Sequence, residues 1–223
     1  MGSAVDAGTT RAGHAATDYL PALTRQVNAL TPGVIPIEAT ITESPAAESP
    51  AGATTFEELG LSAELLQAVC DAGYTTPTPI QRQAIPLIRG GRDIIGLAQT
   101  GTGKTAAFTL PIADRLSGGP HRLRALVLTP TRELCQQVEK SFSAYARHTQ
   151  LVVTSIYGGV GMEPQERAMR EGVDVIVATP GRLIDHLERG NTSFGDLEVL
   201  VLDEADRMLD MGFAPQINRV VGA

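Results

Sequence analysis

The chain has 223 residues, 43 % of them hydrophobic, and a formal net charge of −7. This length supports one α/β domain with its own core. The negative balance argues against a strongly basic, non-specific nucleic-acid binder, but leaves room for a local site of backbone amides and a few arginines. With no Trp and 4 % aromatics, a surface that reads bases mainly by aromatic stacking is also disfavoured.

Residues 1–53 are rich in Ala, Thr, Pro, Ser and Glu and read as a disordered extension. The stretch Thr40–Thr55 in particular has too little apolar surface to offset chain entropy. Within the extension, Leu20, Leu23, Val27 and Leu30 are spaced for a short amphipathic helix. The folded domain is expected over residues 54–223. Ser62 is placed to N-cap a helix carrying Leu65, Leu66 and Val69 on one face and ending at Gly73. Thr78-Pro79 starts a second helix that stops at Gly90-Gly91. Short apolar runs then read as buried strands at Asp93–Ala98, Ala125–Thr129, Leu151–Ile156, Asp174–Ala178 and Val199–Leu202. Helical stretches separate them at Lys104–Leu116, Glu133–Arg147, Pro164–Arg170 and Gly181–Glu188, and a last one is expected at Pro215–Val221. Strands alternating with helices imply βαβ units and a parallel sheet flanked by helices.

Each strand is followed by a polar or glycine-rich cluster, and in a parallel sheet all these turns lie along the carboxyl edge, where open α/β sheets bind ligands. After the first strand comes Ala98-Gln99-Thr100-Gly101-Thr102-Gly103-Lys104-Thr105. Its glycines let backbone N–H groups turn toward phosphate oxygens, Lys104 supplies a point charge, and Thr105 a hydroxyl for Mg²⁺. Ala98 stands where the general pattern has glycine, and a small residue is tolerable there. After the fifth strand come Asp203 and Glu204. Alone they would read as the acidic start of a helix. Paired with a phosphate loop they suit Mg²⁺ coordination by Asp203 and polarisation of a water by Glu204. Cys70 and Cys135 form no CxxC pair, so a reducing compartment is the simpler expectation. No apolar run approaches membrane-spanning length and no secretory leader pattern opens the chain, so a cytoplasmic protein is expected.

Asp203-Glu204-Ala205-Asp206 spells a DEAD box, and the chain from Phe56 onward resembles the first, RecA-like P-loop NTPase domain of DEAD-box ATP-dependent RNA helicases. Several motifs occur in that family's order and spacing. The resemblance implies ATP and Mg²⁺ as cofactors, with Lys104, Asp203 and Glu204 as catalytic residues, Thr105 and Asp203 on the metal, and Gln99 to Thr105 around the phosphates. Gly73 to Gln81 resembles the Q motif, which implies that Gln81 recognises adenine and that Phe56 packs on the base. Read locally, Thr78-Pro79-Ile80-Gln81 is a capping box, and Gln81 can serve both purposes.

The clusters Pro130-Thr131-Arg132-Glu133, Gly158-Gly159 and Thr179-Pro180-Gly181-Arg182 resemble motifs that grip the RNA backbone. Hydroxyls, loop amides and helix N-termini bind phosphates without base information. Taken singly, PTRE and TPGR also read as ordinary turns with Pro at the first helical position, and Arg132 can pair with Glu133 instead of RNA. Asp206 resembles a family residue that couples the ATP site to a Ser-Ala-Thr motif. That motif, and the second RecA-like domain that supplies arginines to the γ-phosphate, are not in this sequence. The 223 residues are therefore expected to hydrolyse ATP slowly, since loss of an arginine finger costs roughly 10³–10⁵ in rate. Two other readings stand beside this one. One is a non-catalytic module that binds nucleotide, RNA or a protein. The other is a different P-loop protein, such as a DNA translocase or small-molecule kinase, against which Phe56, Gln81 and the DEAD box speak.

Overall fold

The computed structural model describes residues 35–38 and 55–223. The amphipathic pattern at Leu20–Leu30 and nearly all of the Thr40–Thr55 stretch lie outside these residues. A strand β1 (Ile35–Glu38) precedes a 3-10 turn (Glu57–Leu59), α1 (Ala63–Asp71), α2 (Pro79–Arg89) and β2 (Ile94–Leu97). There follow α3 (Lys104–Leu116), β3 (Ala125–Leu128), α4 (Arg132–Tyr145), β4 (Val153–Ile156), α5 (Glu163–Glu171) and β5 (Val175–Ala178). The chain continues through α6 (Pro180–Glu188), β6 (Val199–Leu202), α7 (Ala205–Asp210) and α8 (Ala214–Val221).

Four strands form one all-parallel sheet in the order β4-β5-β3-β6. Side chains alternate across it. Ala125, Val175, Val153, Val199 and Val201 face the cluster built with α1, α3 and α4 through Leu65, Leu110 and Phe142. Their neighbours Leu126, Leu128, Ile176, Ala178 and Leu202 face the cluster built with α6, α7 and α8 through Leu183, Met208 and Ile217. This two-residue period puts helices on both faces. Every residue of β3 and β5 is fully buried, which explains why these strands read as unbroken apolar runs.

The helix signals translate into defined ends. After α1, Gly73 N–H reaches Cys70 O and Tyr74 N–H reaches Val69 O, with Gly73 at φ 76°; this is a Schellman ending, and glycine adopts its left-handed position without strain. Ser62 does occupy the N-cap of α1, but its hydroxyl makes no capping bond; its backbone N–H instead donates to Asp114 Oδ1 at 2.9 Å.

The sheet differs from the single one expected. β2, which carries the phosphate loop, pairs in parallel with β1 and not with the four-stranded sheet. β2 is instead held by α2 and α3, through Ile80, Ala84 and Ala107 packed with Ile94 and Ala98. Leu97 on β2 and Leu200 on β6 remain 37 % and 36 % exposed. β1 itself falls within the segment read from sequence as a disordered extension. Among the described residues, no helix is long and apolar enough to cross a membrane.

Candidate functional site

The loop between β2 and α3 has the backbone of a phosphate cradle. Gly101 and Gly103 sit at φ 86° and 88°, and Gly103 is the N-cap of α3. These left-handed residues turn successive N–H groups inward, and the helix dipole adds to them. Thr102 Oγ1 donates to Gln99 O at 2.7 Å, closing the loop on itself, while Thr100 stands exposed on it. The Lys104 ammonium folds back to donate to Ala98 O, across the space that the loop encircles. Thr105 lies half-buried in the first turn of α3.

Gln81 joins this loop to α2. Its Oε1 accepts from Thr78 N–H at 2.9 Å, one half of a capping box whose other half is unmade because the Thr78 hydroxyl has no partner, and its Nε2 donates to Gly103 O at 3.2 Å. The side chain is 3 % exposed. A primary amide has a second proton on nitrogen and a second lone pair on oxygen, so these two bonds leave one donor and one acceptor for a ligand. Phe56 is also 3 % exposed, in the core cluster with Leu59, Leu61 and Leu65. Stacking on a base requires part of that ring to be uncovered.

Asp203 and Glu204 leave the end of β6. Burial, then the neighbouring Glu204 charge, pushes the Asp203 carboxyl up to about 6, with the Lys104 ammonium opposing. The Lys104 charge thus acts on Asp203 although β2 and β6 do not pair. The raised carboxyl also describes a site short of positive charge. Glu204 is the one non-glycine residue at positive φ among the described residues, at 52°, a conformation that costs roughly 1–2 kcal/mol. Its Oε2 accepts from Arg207 Nη1 at 3.1 Å. Asp206 is exposed in the first turn of α7.

The remaining clusters meet along the same edge. Thr131 caps α4, its Oγ1 accepting from Leu134 N–H at 3.3 Å. Pro130 precedes that cap, so the expectation of Pro at the first helical position fails for PTRE; it holds for TPGR, where Pro180 opens α6 after Thr179. Glu133 lies in the first turn of α4. Arg132 stacks over the Tyr157 ring, 5.8 Å from its centroid, and a Cβ at Gly159, φ 84°, would meet Arg132 Nη1 at 3.1 Å. Arg182 Nη1 donates to Val160 O at 3.0 Å. Gly158 has open space on its Cβ side, as has Gly181. Arg132 and Arg182 thus flank the glycine loop, and the first N–H groups of α4 and α6 open beside it.

A family model for DEAD/DEAH box helicases matches residues 78–223. The chain belongs to the DEAD/DEAH box helicase family. Over 169 residues it is 47 % identical to the ATP-dependent RNA helicase DeaD of Escherichia coli (strain K12), covering 75 % of this chain and 27 % of that protein. Over 172 residues it is 47 % identical to DeaD of Mycobacterium tuberculosis (strain ATCC 25618 / H37Rv), covering 77 % and 31 %. A DEAD box protein from the hyperthermophile Methanococcus jannaschii superposes with a TM-score of 0.71 at 38 % identity, over 74 % of this chain and 46 % of that one. The chain therefore spans about a quarter to a third of the length of these two bacterial relatives, and its RecA-like fold is that of a DEAD-box domain.

Sequence reading of this DEAD-box domain missed the residues that brace the glycine loop. Tyr157 OH accepts from Gln136 Nε2 at 2.7 Å, Tyr157 O accepts from Gln165 Nε2 at 3.0 Å, and His186 stands behind Gln165. The available signal was a His and a Gln at positions the fold buries, visible only once the helix faces are known.

Proposed function

We propose that these residues form the ATP- and RNA-binding domain of an RNA helicase, which couples ATP hydrolysis to RNA remodelling. The observation that carries the reading is a glycine-cradled lysine after β2 whose charge acts on the Asp-Glu pair after β6, with three backbone-amide loops and two arginines at the ends of the neighbouring strands. Gly101 to Thr105 would hold the triphosphate through backbone N–H groups, with Lys104 leaving Ala98 O for the β and γ oxygens. Gln81 would use its spare donor and acceptor on the adenine edge, which rejects guanine by leaving buried polar groups unpaired. Phe56, buried in the core cluster here, would pack on the base only with part of its ring uncovered.

The donor set fits Mg²⁺. Among the described residues no group of three or more His, Cys, Asp or Glu could hold a metal, and Mg²⁺ needs only one or two carboxylates together with substrate phosphates. Thr105 and Asp203 would hold it, and it would neutralise charge on the phosphates. Glu204 Oε would accept the proton of the attacking water, releasing Arg207 to do so. Asp206 would couple the site to further residues. RNA would run over Pro130 to Glu133, Gly158-Gly159 and Thr179 to Arg182, held by its backbone and so without base preference. A cytoplasmic location belongs to the same reading, supported by two unpaired cysteines of the kind a reducing compartment preserves.

The test is a fluorescent-ATP titration with Mg²⁺ of the 223-residue chain and of Lys104→Ala. Saturable binding, displaced by ATP and not by GTP and weakened in the variant, is expected. Equal binding by the two proteins would overturn the assignment of the loop.

A further inference from the structure

The segment from Tyr157 to Val160 is gripped at its start by α5 and at its end by α6. At its start, Tyr157 O accepts from Gln165 Nε2 at 3.0 Å; at its end, Val160 O accepts from Arg182 Nη1 at 3.0 Å. Gln165 is buried and its Oε1 lies 3.1 Å from His186 Nε2. His186 is 0 % exposed, and its Nδ1 lies 3.1 Å from Asn191 Nδ2, which also donates to Glu166 Oε1 at 3.1 Å. Arg182 and His186 are four residues apart, hence on one face of α6, and α6 opens with the Thr179–Arg182 cluster.

The hydrogen-bond roles follow from this inventory. With Gln165 Nε2 spent on Tyr157 O, Gln165 Oε1 can only accept, so His186 Nε2 carries the proton. His186 Nδ1 is then bare and accepts from Asn191, whose two amide protons are divided between Nδ1 and Glu166. The relay Asn191 to His186 to Gln165 to Tyr157 O is complete only with a neutral imidazole. A second proton would place two donors face to face at Nδ1. Turning the Asn191 amide to relieve this would set its oxygen against the Glu166 carboxylate.

We propose that His186 is a positioning residue: through Gln165 it locks the Gly158-Gly159 loop to α6, so that the loop and the Thr179–Arg182 turn present one rigid, fixed-spacing surface to RNA phosphates. This rests on the reading of those two clusters as RNA contacts. The consequence is a grip on RNA that acid releases. Burial holds His186 below the ordinary histidine range, aided by Arg182 on α6 and Arg189 just past its end, and opposed by Glu166 on α5 and Asp185 on α6. Because the pKa is depressed in the folded chain, the neutral relay is intact above the ordinary range and is lost as pH falls through the lowered value.

The experiment compares the 223-residue chain with His186→Gln, His186→Phe and Gln165→Met. The Gln side chain keeps a donor where Nε2 stood and does not titrate; Phe fills the space without a donor; Met removes the Gln165 amide while leaving His186 in place, and serves if His186→Phe fails to fold. Two readouts are taken: anisotropy of a short fluorescein-labelled oligouridylate, and amide exchange over residues 157–161. His186→Phe and Gln165→Met are expected to speed exchange in the loop, leave β3 and β5 protected, and weaken RNA binding by roughly fivefold to tenfold, the value of one lost hydrogen bond. ATP affinity should move by less than about twofold. His186→Gln should bind RNA like the parent but without the parent's loss of affinity in acid. Unchanged loop exchange in both His186→Phe and Gln165→Met overturns the proposal, as does a parental acid profile in His186→Gln. A parent chain that binds no RNA, yet whose loop exchange responds to the variants, would instead sink the RNA reading and leave the positioning role standing.

Discussion

The two halves of the ligand-binding edge are built on different footings. The loops after β3, β4 and β5 spring from a sheet whose two inner strands, β3 and β5, are fully buried on both faces. The phosphate loop and the Asp-Glu pair spring from β2 and β6, each of which exposes more than a third of a leucine. The RNA-type surface therefore stands on strands fixed by the core, with Gln165 and Arg182 bracing its glycine loop. The nucleotide-type surface depends on side-chain ties: Gln81 to Gly103, Lys104 to Ala98, and the charge coupling of Lys104 with Asp203. On the proposed function, the groups that would change partners when nucleotide binds sit on the less constrained half.

The contrast breaks most sharply under truncation. Leu128→Ala, at a fully buried position of β3, should cost about 2–5 kcal/mol in urea unfolding. Leu97→Ala on β2 should cost less than about 1.5 kcal/mol, because much of that side chain is already in water; equal losses would mean that both strands are equally supported. Next comes the tie between the halves of the nucleotide loop. A Cβ at Gly103 would stand 2.5 Å from Gln81 Nε2 at a φ of +88°, whereas one at Gly101, φ +86°, meets nothing within 4 Å. Gly101→Ala should show only the backbone cost of about 1–2 kcal/mol. Gly103→Ala should add a loss of ATP affinity of roughly tenfold or more, the effect of about 1.4 kcal/mol, read by the fluorescent-ATP titration.

Smaller effects test the Asp-Glu side. Glu204→Gly should raise the unfolding free energy by up to about 1 kcal/mol by relieving its left-handed backbone, while lowering ATP hydrolysis by roughly 10²-fold or more. A variant that loses both would place Glu204 in the structural and not the chemical column. Arg207→Ala removes a half-exposed ion pair and should change stability by less than about 0.5 kcal/mol. A large loss there would show that the pair holds Glu204 in place.

Most of the fold was legible because period and punctuation agreed. Lys104–Leu116 and Val199–Leu202 have their expected bounds, and the other expected helices and strands shift by one or two residues at their ends. α7 went unread because its six residues begin inside the acidic run already assigned to chemistry. β1 went unread because its four residues lie inside a stretch whose Ala, Thr, Pro, Ser and Glu content reads as a linker. The phosphate loop and the Asp-Glu pair were legible because their residue types sit in contiguous runs. The bracing of the glycine loop was not, since Gln136, Tyr157, Gln165 and His186 come from four separate segments and acquire meaning only through contact. The Ser62 hydroxyl is the opposite case: the residue stands at the N-cap as its type predicts, yet its hydroxyl makes no bond, and its backbone N–H is held by Asp114, fifty-two residues away.

The two thiols are chemically unlike. Cys135 is buried with its Sγ on Val177 O, and burial pushes its thiol up to about 12; Cys70 is exposed near the end of α1. Under mild alkylation only Cys70 should react. The chain thus carries one attachment point for a spectroscopic label, just before the turn that leads into the Gly73–Gln81 segment, without any engineered cysteine.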